Sequence, residues 1–222
     1  LATAVLIDGA YFIKRFRKIE PHNSLNPKRA SELLFRWALA HLVEGRNDGQ
    51  KRKHDLYRIF FYDCPPLDKK LHNPISKKPV DFSKSEEATF RNMLHSLLRS
   101  KRKTALRLGH LSNDTPWTIK PNKIQDLLKG HIKFEDLTVD DVMPNVRQKG
   151  VDMRIAVDIS SLAMKKQVNQ IVLVSGDADF VPAAKLARRE GVDFILDPMW
   201  GQIQPSLYEH IDGLRSTCPK LI

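Results

Sequence analysis

The chain is poor in the residues that build metal frameworks and covalent staples. Of its 222 residues only two are cysteines, Cys64 and Cys218, and neither has a CxxC partner, which argues against a zinc ribbon or a disulfide scaffold. Its eight histidines show no HxH or HExxH spacing, which removes the common zinc-enzyme patterns. GxGxxG, GxxxxGK[ST] and GxSxG are all missing, so dinucleotide binding, P-loop chemistry and a serine nucleophile elbow lack support. No run approaches the ~18 apolar residues that would cross a bilayer. The short apolar start has no basic segment ahead of it and runs into Asp8, unlike a secretory signal. The expectation is a cytoplasmic protein with no membrane partner. Internal repeats and low-complexity tracts are absent as well.

Present instead is enough apolar sequence for a core, 41% hydrophobic, beside 28% charged residues and a net charge of +11. That length and balance suit one α/β domain, spanning 1–222, or one domain with a large insertion. The charge is uneven. Residues 46–107 hold 16 Lys/Arg against 7 Asp/Glu, whereas residues 150–222 hold 8 against 9. A localised positive field points to a polyanion, nucleic acid before others, although a solvated basic surface would give the same count.

Apolar runs alternate with helical patterns. Strands are expected at Ala2–Ile7, Leu56–Tyr62, Thr104–Leu108, Gln170–Ser175 and Val192–Leu196. Helices are expected near Tyr11–Ile19, from Pro27 to about Glu44 with turn chemistry at Gly45–Gly49, from a Ser83/Glu86 capping box to about Leu98, from Val151 to about Lys166, from near Asp179 to Gly191, and from Pro205 to about Leu214. Proline and lysine dominate 64–85, which reads as a loop or mobile flap. Residues 112–147, with a helix-like Ile124–Leu128, read as an insertion. Alternating strands and helices argue for an open parallel sheet with right-handed crossovers, where ligands bind beyond the carboxyl ends of the strands.

The carboxylates fall at those ends. Val5-Leu-Ile-Asp-Gly9 and Leu173-Val-Ser-Gly-Asp-Ala-Asp179 are buried-strand patterns stopped by acids, and Asp63 ends another. Asp179 has an innocent role open to it, as a helix N-cap worth ~1 kcal/mol. Asp152, at the start of its helix, is open to the same explanation. Asp177 has no such excuse. Beside Asp8 it would suffer like-charge repulsion unless a cation neutralised it. Oxygen-only ligands favour Mg²⁺ or Mn²⁺ over zinc. Asp158 lies about 240° around the helix from Asp152, so it is read as pairing with a base or supporting the ligands. Asp63 ranks below it, since it could simply end its strand.

Val5–Gly9, Tyr62-Asp63, Gln148-Lys-Gly-Val-Asp-Met-Arg-Ile-Ala-Val-Asp158, Leu173–Pro182 and Gly191–Leu196 together resemble the NYN domain, a PIN-like nuclease family, and within it the bacterial LabA-like (DUF88) branch. The resemblance implies a three-layer, PIN-like Rossmannoid fold with about five parallel strands in the order 3-2-1-4-5. It implies a Mg²⁺/Mn²⁺ pocket made by Asp8, Asp152, Asp177 and Asp179, and ribonuclease activity; RNA ranks above DNA only through this resemblance. Ser175 would touch the phosphate or a metal-bound water and Lys149 would neutralise charge. Lys69, Lys70, Lys77 and Lys78 would hold the RNA backbone, together with Arg99, Lys101, Arg102 and Lys103. Tyr11 departs from the pattern, since many relatives carry Asn two residues after the glycine of the first motif. The rival reading is a non-catalytic RNA-binding or regulatory module on the same fold, and a metal-dependent phosphatase is a weaker third. A homo-oligomer is compatible with all three.

Overall fold

The computed structural model describes residues 1–45 and 51–220. Six strands form one sheet: β1 (Ala2–Asp8), β2 (Asp55–Asp63), β3 (Thr104–Leu108), β4 (Gln170–Val174), β5 (Asp193–Asp197) and β6 (Gly213–Leu214). Their order is β3-β2-β1-β4-β5-β6, and every pairing is parallel. The expected order 3-2-1-4-5 is therefore present, with a sixth strand added at the edge. Helices α1 (Gly9–Ile19), α2 (Pro27–Ala40) and α3 (Glu86–Arg99) cover one face. The other is covered by α5 (Val151–Met164), α6 (Val181–Arg189) and α7 (Pro205–Tyr208). A further helix, α4 (Pro121–Leu128), belongs to the excursion after β3.

Strand alternation divides the core in two. Val5, Ile7, Ile59, Phe61, Val172 and Val174 point toward α1–α3. Leu6, Phe60, Tyr62, Ile171 and Leu173 point toward α5–α7. A parallel strand buried on both sides needs apolar residues at every position, which is why these segments read as unbroken hydrophobic runs.

Several boundaries differ from the sequence reading. α2 stops at Ala40 rather than near Glu44, and Val43–Gly45 pairs antiparallel with Lys51–Lys53. The turn expected at Gly45–Gly49 lies, beyond Gly45, outside the described residues. Ser85 rather than Ser83 caps α3, accepting from the Ala88 N–H at 3.1 Å. Ser83 is held by Asp81, which accepts from its N–H and its hydroxyl. The closing segment is helical only over Pro205–Tyr208. Asp212 then accepts from the Phe194 N–H at 2.9 Å and from Arg188 at 2.8 Å, which seats Gly213–Leu214 as β6.

The stretch 64–85 is not a simple loop. Lys70–His72 and Pro79–Asp81 form a hairpin. Its turn is fixed by Asn73, whose side chain accepts from the N–H groups of Ile75 and Ser76 and donates to the Val139 carbonyl. Within the second excursion, Trp117–Ile119 pairs with Val142–Pro144. Phe82 and Trp117 pack with ring centroids 6.0 Å apart, which joins the two excursions. They leave the sheet after β2 and β3, so both rise from its carboxyl edge.

Candidate active site

Asp8 is the last residue of β1 and follows the parity of Leu6, toward α5. One carboxylate oxygen accepts from the Tyr11 N–H at 3.1 Å, which caps α1. Ser175 donates its hydroxyl to the other oxygen at 3.4 Å and accepts from the Asp177 N–H at 3.3 Å. Gly9 is required here, because a Cβ would sit 2.5 Å from the Tyr62 carbonyl. Burial pushes the Asp8 pKa up to about 6; the charges of Asp152 and Asp63 add to the rise, and the Tyr11 N–H opposes it.

Asp152 lies in the first turn of α5, which is entered through Gly150 at φ 76°, a left-handed conformation suited to glycine. Its pKa is also raised, by burial first and then by the charges of Asp177 and Asp179. Asp177 caps the turn Ala178–Phe180 by accepting from the Asp179 N–H at 3.0 Å. The capping role expected of Asp179 thus belongs to Asp177, and Asp179 sits inside the turn with an exposed side chain. The structure brings Asp8, Ser175, Asp152, Asp177 and Asp179 to one edge of the sheet.

Among the described residues, no three Asp, Glu, His or Cys side chains already converge closely enough to enclose a metal ion. The donors nevertheless fit a hard dication chemically. They are all oxygen, they repel one another when ionised, and Asp152, Asp177 and Asp179 are exposed and have room to reorient.

The secondary candidates have other work. Asp63 follows the parity of Phe61 and therefore faces α3, away from Asp8. It is fully buried, ion-paired with Arg91 and bonded to His95 at 2.8 Å. Its carboxylate is thus already engaged in a buried ion pair. Asp158 accepts from the Tyr62 hydroxyl at 2.7 Å and faces Arg107 at 3.4 Å, so it pairs with a base as expected. Tyr11 donates its hydroxyl to the Pro198 carbonyl at 2.6 Å and packs beside Gly176, where an added Cβ would lie 3.1 Å from its ring. It braces two loops rather than presenting an amide to the site.

Arg107 was missed by the sequence reading. The register Asp8↔Tyr62↔Arg107 places it in the same row across the sheet as Asp8, two strands away. With Gly150, Met153, Arg154, Val157 and Asp158 it lines an open cleft of about 290 Å³ beside the start of α5. The alternation Leu106-Arg107-Leu108 was the available signal, but register is not written in one strand. Lys149 is exposed, immediately ahead of Gly150, and pairs with His110 through the short ladder of Gln148–Lys149 with His110–Leu111. Lys77 and Lys78 lie at the turn of the hairpin after β2. Arg99, Lys101, Arg102 and Lys103 do not join them. They precede β3, whose first residue pairs with Ile59, so they sit at the amino edge, and Lys103 donates to the carbonyl of Leu56 near the start of β2.

A helix-flanked parallel sheet in the order 3-2-1-4-5, with a sixth strand at its edge, is consistent with a PIN-like Rossmannoid fold. The NYN domain family model matches residues 83–203, more than half of the chain. The chain belongs to this family, a PIN-like nuclease domain family. The matched stretch contains Asp152, Asp177 and Asp179, and Asp8 lies before it. The chain is similar to a protein of unknown function from Vibrio parahaemolyticus RIMD 2210633, known from a crystal structure. The two are 14% identical with a TM-score of 0.46, over 97% of this chain and 91% of that one. No curated protein matches significantly.

Proposed function

We propose that the protein is a metal-dependent endoribonuclease that hydrolyses RNA phosphodiester bonds at the carboxyl edge of its sheet. The observation that carries this reading is the gathering of Asp8, Asp152, Asp177 and Asp179, from three separate elements, at the carboxyl edge of an NYN fold, where neighbouring acids help to raise the pKa values of Asp8 and Asp152. Carboxylates crowded together from separate elements are a poor stability device and a good receptor for a dication. Asp8, Asp152, Asp177 and Asp179 would hold Mg²⁺ or Mn²⁺, which when bound supplies an activated water and stabilises charge on the phosphate.

The chain's own groups do the rest. Ser175 and the Tyr11 N–H fix the orientation of Asp8. Lys149, Arg107 and Arg154 supply positive charge around the cleft, and Lys77 and Lys78 extend it along the excursion after β2. RNA is preferred to DNA on the strength of the family alone. Labelled RNA incubated with wild type and with Asp177→Asn, in Mg²⁺, Mn²⁺ and EDTA, tests the reading. Cleavage should need the cation and fall by at least about 100-fold in the variant, the scale of losing a catalytic electrostatic group. Cleavage in EDTA, or equal rates, rules the mechanism out. The second reading, a non-catalytic RNA-binding module, is favoured by Tyr11, whose hydroxyl is spent on Pro198. It predicts salt-sensitive RNA binding with no turnover.

A further inference from the structure

Beyond β5 the chain makes a tight loop that buries Met199 in the core and leaves Trp200 outside. Met199 and Trp200 adopt φ values of 46° and 59° in succession, a left-handed backbone that bulky residues rarely take. The conformation is held from many directions. Asp197 accepts from the Met199 N–H at 2.7 Å, and Arg15 donates twice to the Met199 carbonyl. Tyr11 donates to the Pro198 carbonyl, and the Ser216 hydroxyl accepts from the Trp200 N–H at 3.0 Å. Backbone strain that the surroundings over-determine is commonest where a side chain must be presented.

The side chain presented is Trp200, 47% exposed despite its size. Its indole N–H donates to the Cys218 carbonyl at 2.8 Å, which fixes the ring. Lys220 places its ammonium over the face of the ring, 5.5 Å from the centroid. The next residues touch the acidic turn: a Cβ on Gly176 would lie 3.2 Å from the Gln202 carbonyl, and one on Gly201 would collide with the Tyr11 hydroxyl. Gly176 directly precedes Asp177. Single exposed hydrophobic residues are ordinary, but a rigid indole with a cation beside it, one loop away from the acids, is not a random surface residue.

We infer that Trp200 is a nucleobase-stacking subsite for single-stranded RNA, with the flexible Lys220 side chain, which lies over the ring in its absence, moving aside to meet the backbone phosphate. Stacking on a fixed aromatic face tolerates any base, because every base has a π-face. The subsite therefore supplies grip and register rather than sequence choice. This inference rests on the nucleic-acid reading of the site but not on cleavage.

Binding of a fluorescein-labelled single-stranded RNA in EDTA is measured for wild type, Trp200→Ala and Trp200→Phe. The alanine variant should bind about 10-fold more weakly, within the range known for loss of one stacked base, and the phenylalanine variant should recover most of that loss. Unlabelled oligonucleotide should quench tryptophan emission in wild type and leave Trp200→Phe largely unquenched. An RNA of abasic nucleotides should bind wild type as weakly as normal RNA binds Trp200→Ala. Equal affinity of wild type and the alanine variant, or no quenching in wild type, overturns the subsite. Ring-dependent binding without turnover in Mn²⁺ would sink the nuclease reading and leave the subsite standing. Turnover indifferent to Trp200 would do the reverse.

Discussion

Asp8 serves two roles that pull its protonation in opposite directions. Capping α1 favours the carboxylate, whereas burial and neighbouring acids favour the acid, and the outcome is a pKa of about 6 against 3.8 unperturbed. The folded protein therefore keeps this proton between about pH 4 and about pH 6, where the unfolded chain has released it. Folding stability contributed by the group is full below pH 4 and falls as pH rises to about 6. A shift of this size corresponds to roughly 2–3 kcal/mol. Asp8→Asn keeps the cap acceptor and removes the charge. In EDTA at pH 7.5 it should melt higher than wild type and lose the decline between pH 4 and pH 6. Thermal unfolding across that range checks this, and a variant less stable than wild type at pH 7.5 would contradict it. Cation binding needs the ionised form, so cleavage by wild type should decline as pH falls below about 6.

At the scale of elements, what was legible followed from burial. β1 and β2 were read to within a residue at each end, because strands covered on both faces are continuous apolar runs bounded by polar residues, and β3, a half-exposed edge strand, was read at its observed limits. Side-chain partners decided the errors. β6 is two residues long, too short for any periodicity, and exists because Asp212 ties the chain to Phe194. The cap of α3 went to Ser85 because Asp81 had already engaged Ser83. Ser85→Ala should therefore cost ~1 kcal/mol in urea unfolding, and Ser83→Ala clearly less; the reverse ranking would refute the assignment. Asp63 ends its strand as expected, but which face its side chain takes depends on register, since one residue along a strand reverses the face. Its buried pairing with Arg91 makes a sharper prediction: Arg91→Met should destabilise by about 3–5 kcal/mol, the cost of stranding a buried charge. A loss under about 1 kcal/mol would show that Asp63 finds another partner.

Across the whole molecule the basic excess proves to be divided between two ends. The lysines after β2 rise with the excursions above the acids, while Arg99–Lys103 and the Lys51–Lys53 strand lie ahead of strands, toward the amino edge. Net charge along the chain could not show this. The rule that segments preceding parallel strands collect at the amino edge could have shown it for Arg99–Lys103. Replacing Arg99, Arg102 and Lys103 with glutamine should leave cleavage of a short RNA within about twofold, and should leave its salt dependence unchanged, because each lost phosphate contact would lower the logarithmic slope by about 0.7. A loss like that of Asp177→Asn would mean that the two ends cooperate.

Acids from β1, α5 and the turn after β4 are proposed to receive hard dications, one or two, jointly. Calorimetric titration of Mn²⁺ into wild type and Asp8→Asn, at pH 6 and pH 7.5, addresses this without reference to turnover. The account predicts saturable binding to wild type, proton release at pH 6 as Asp8 gives up its proton, and markedly weaker binding to the variant. Identical isotherms for the two proteins, or no saturable binding to wild type at either pH, would contradict it.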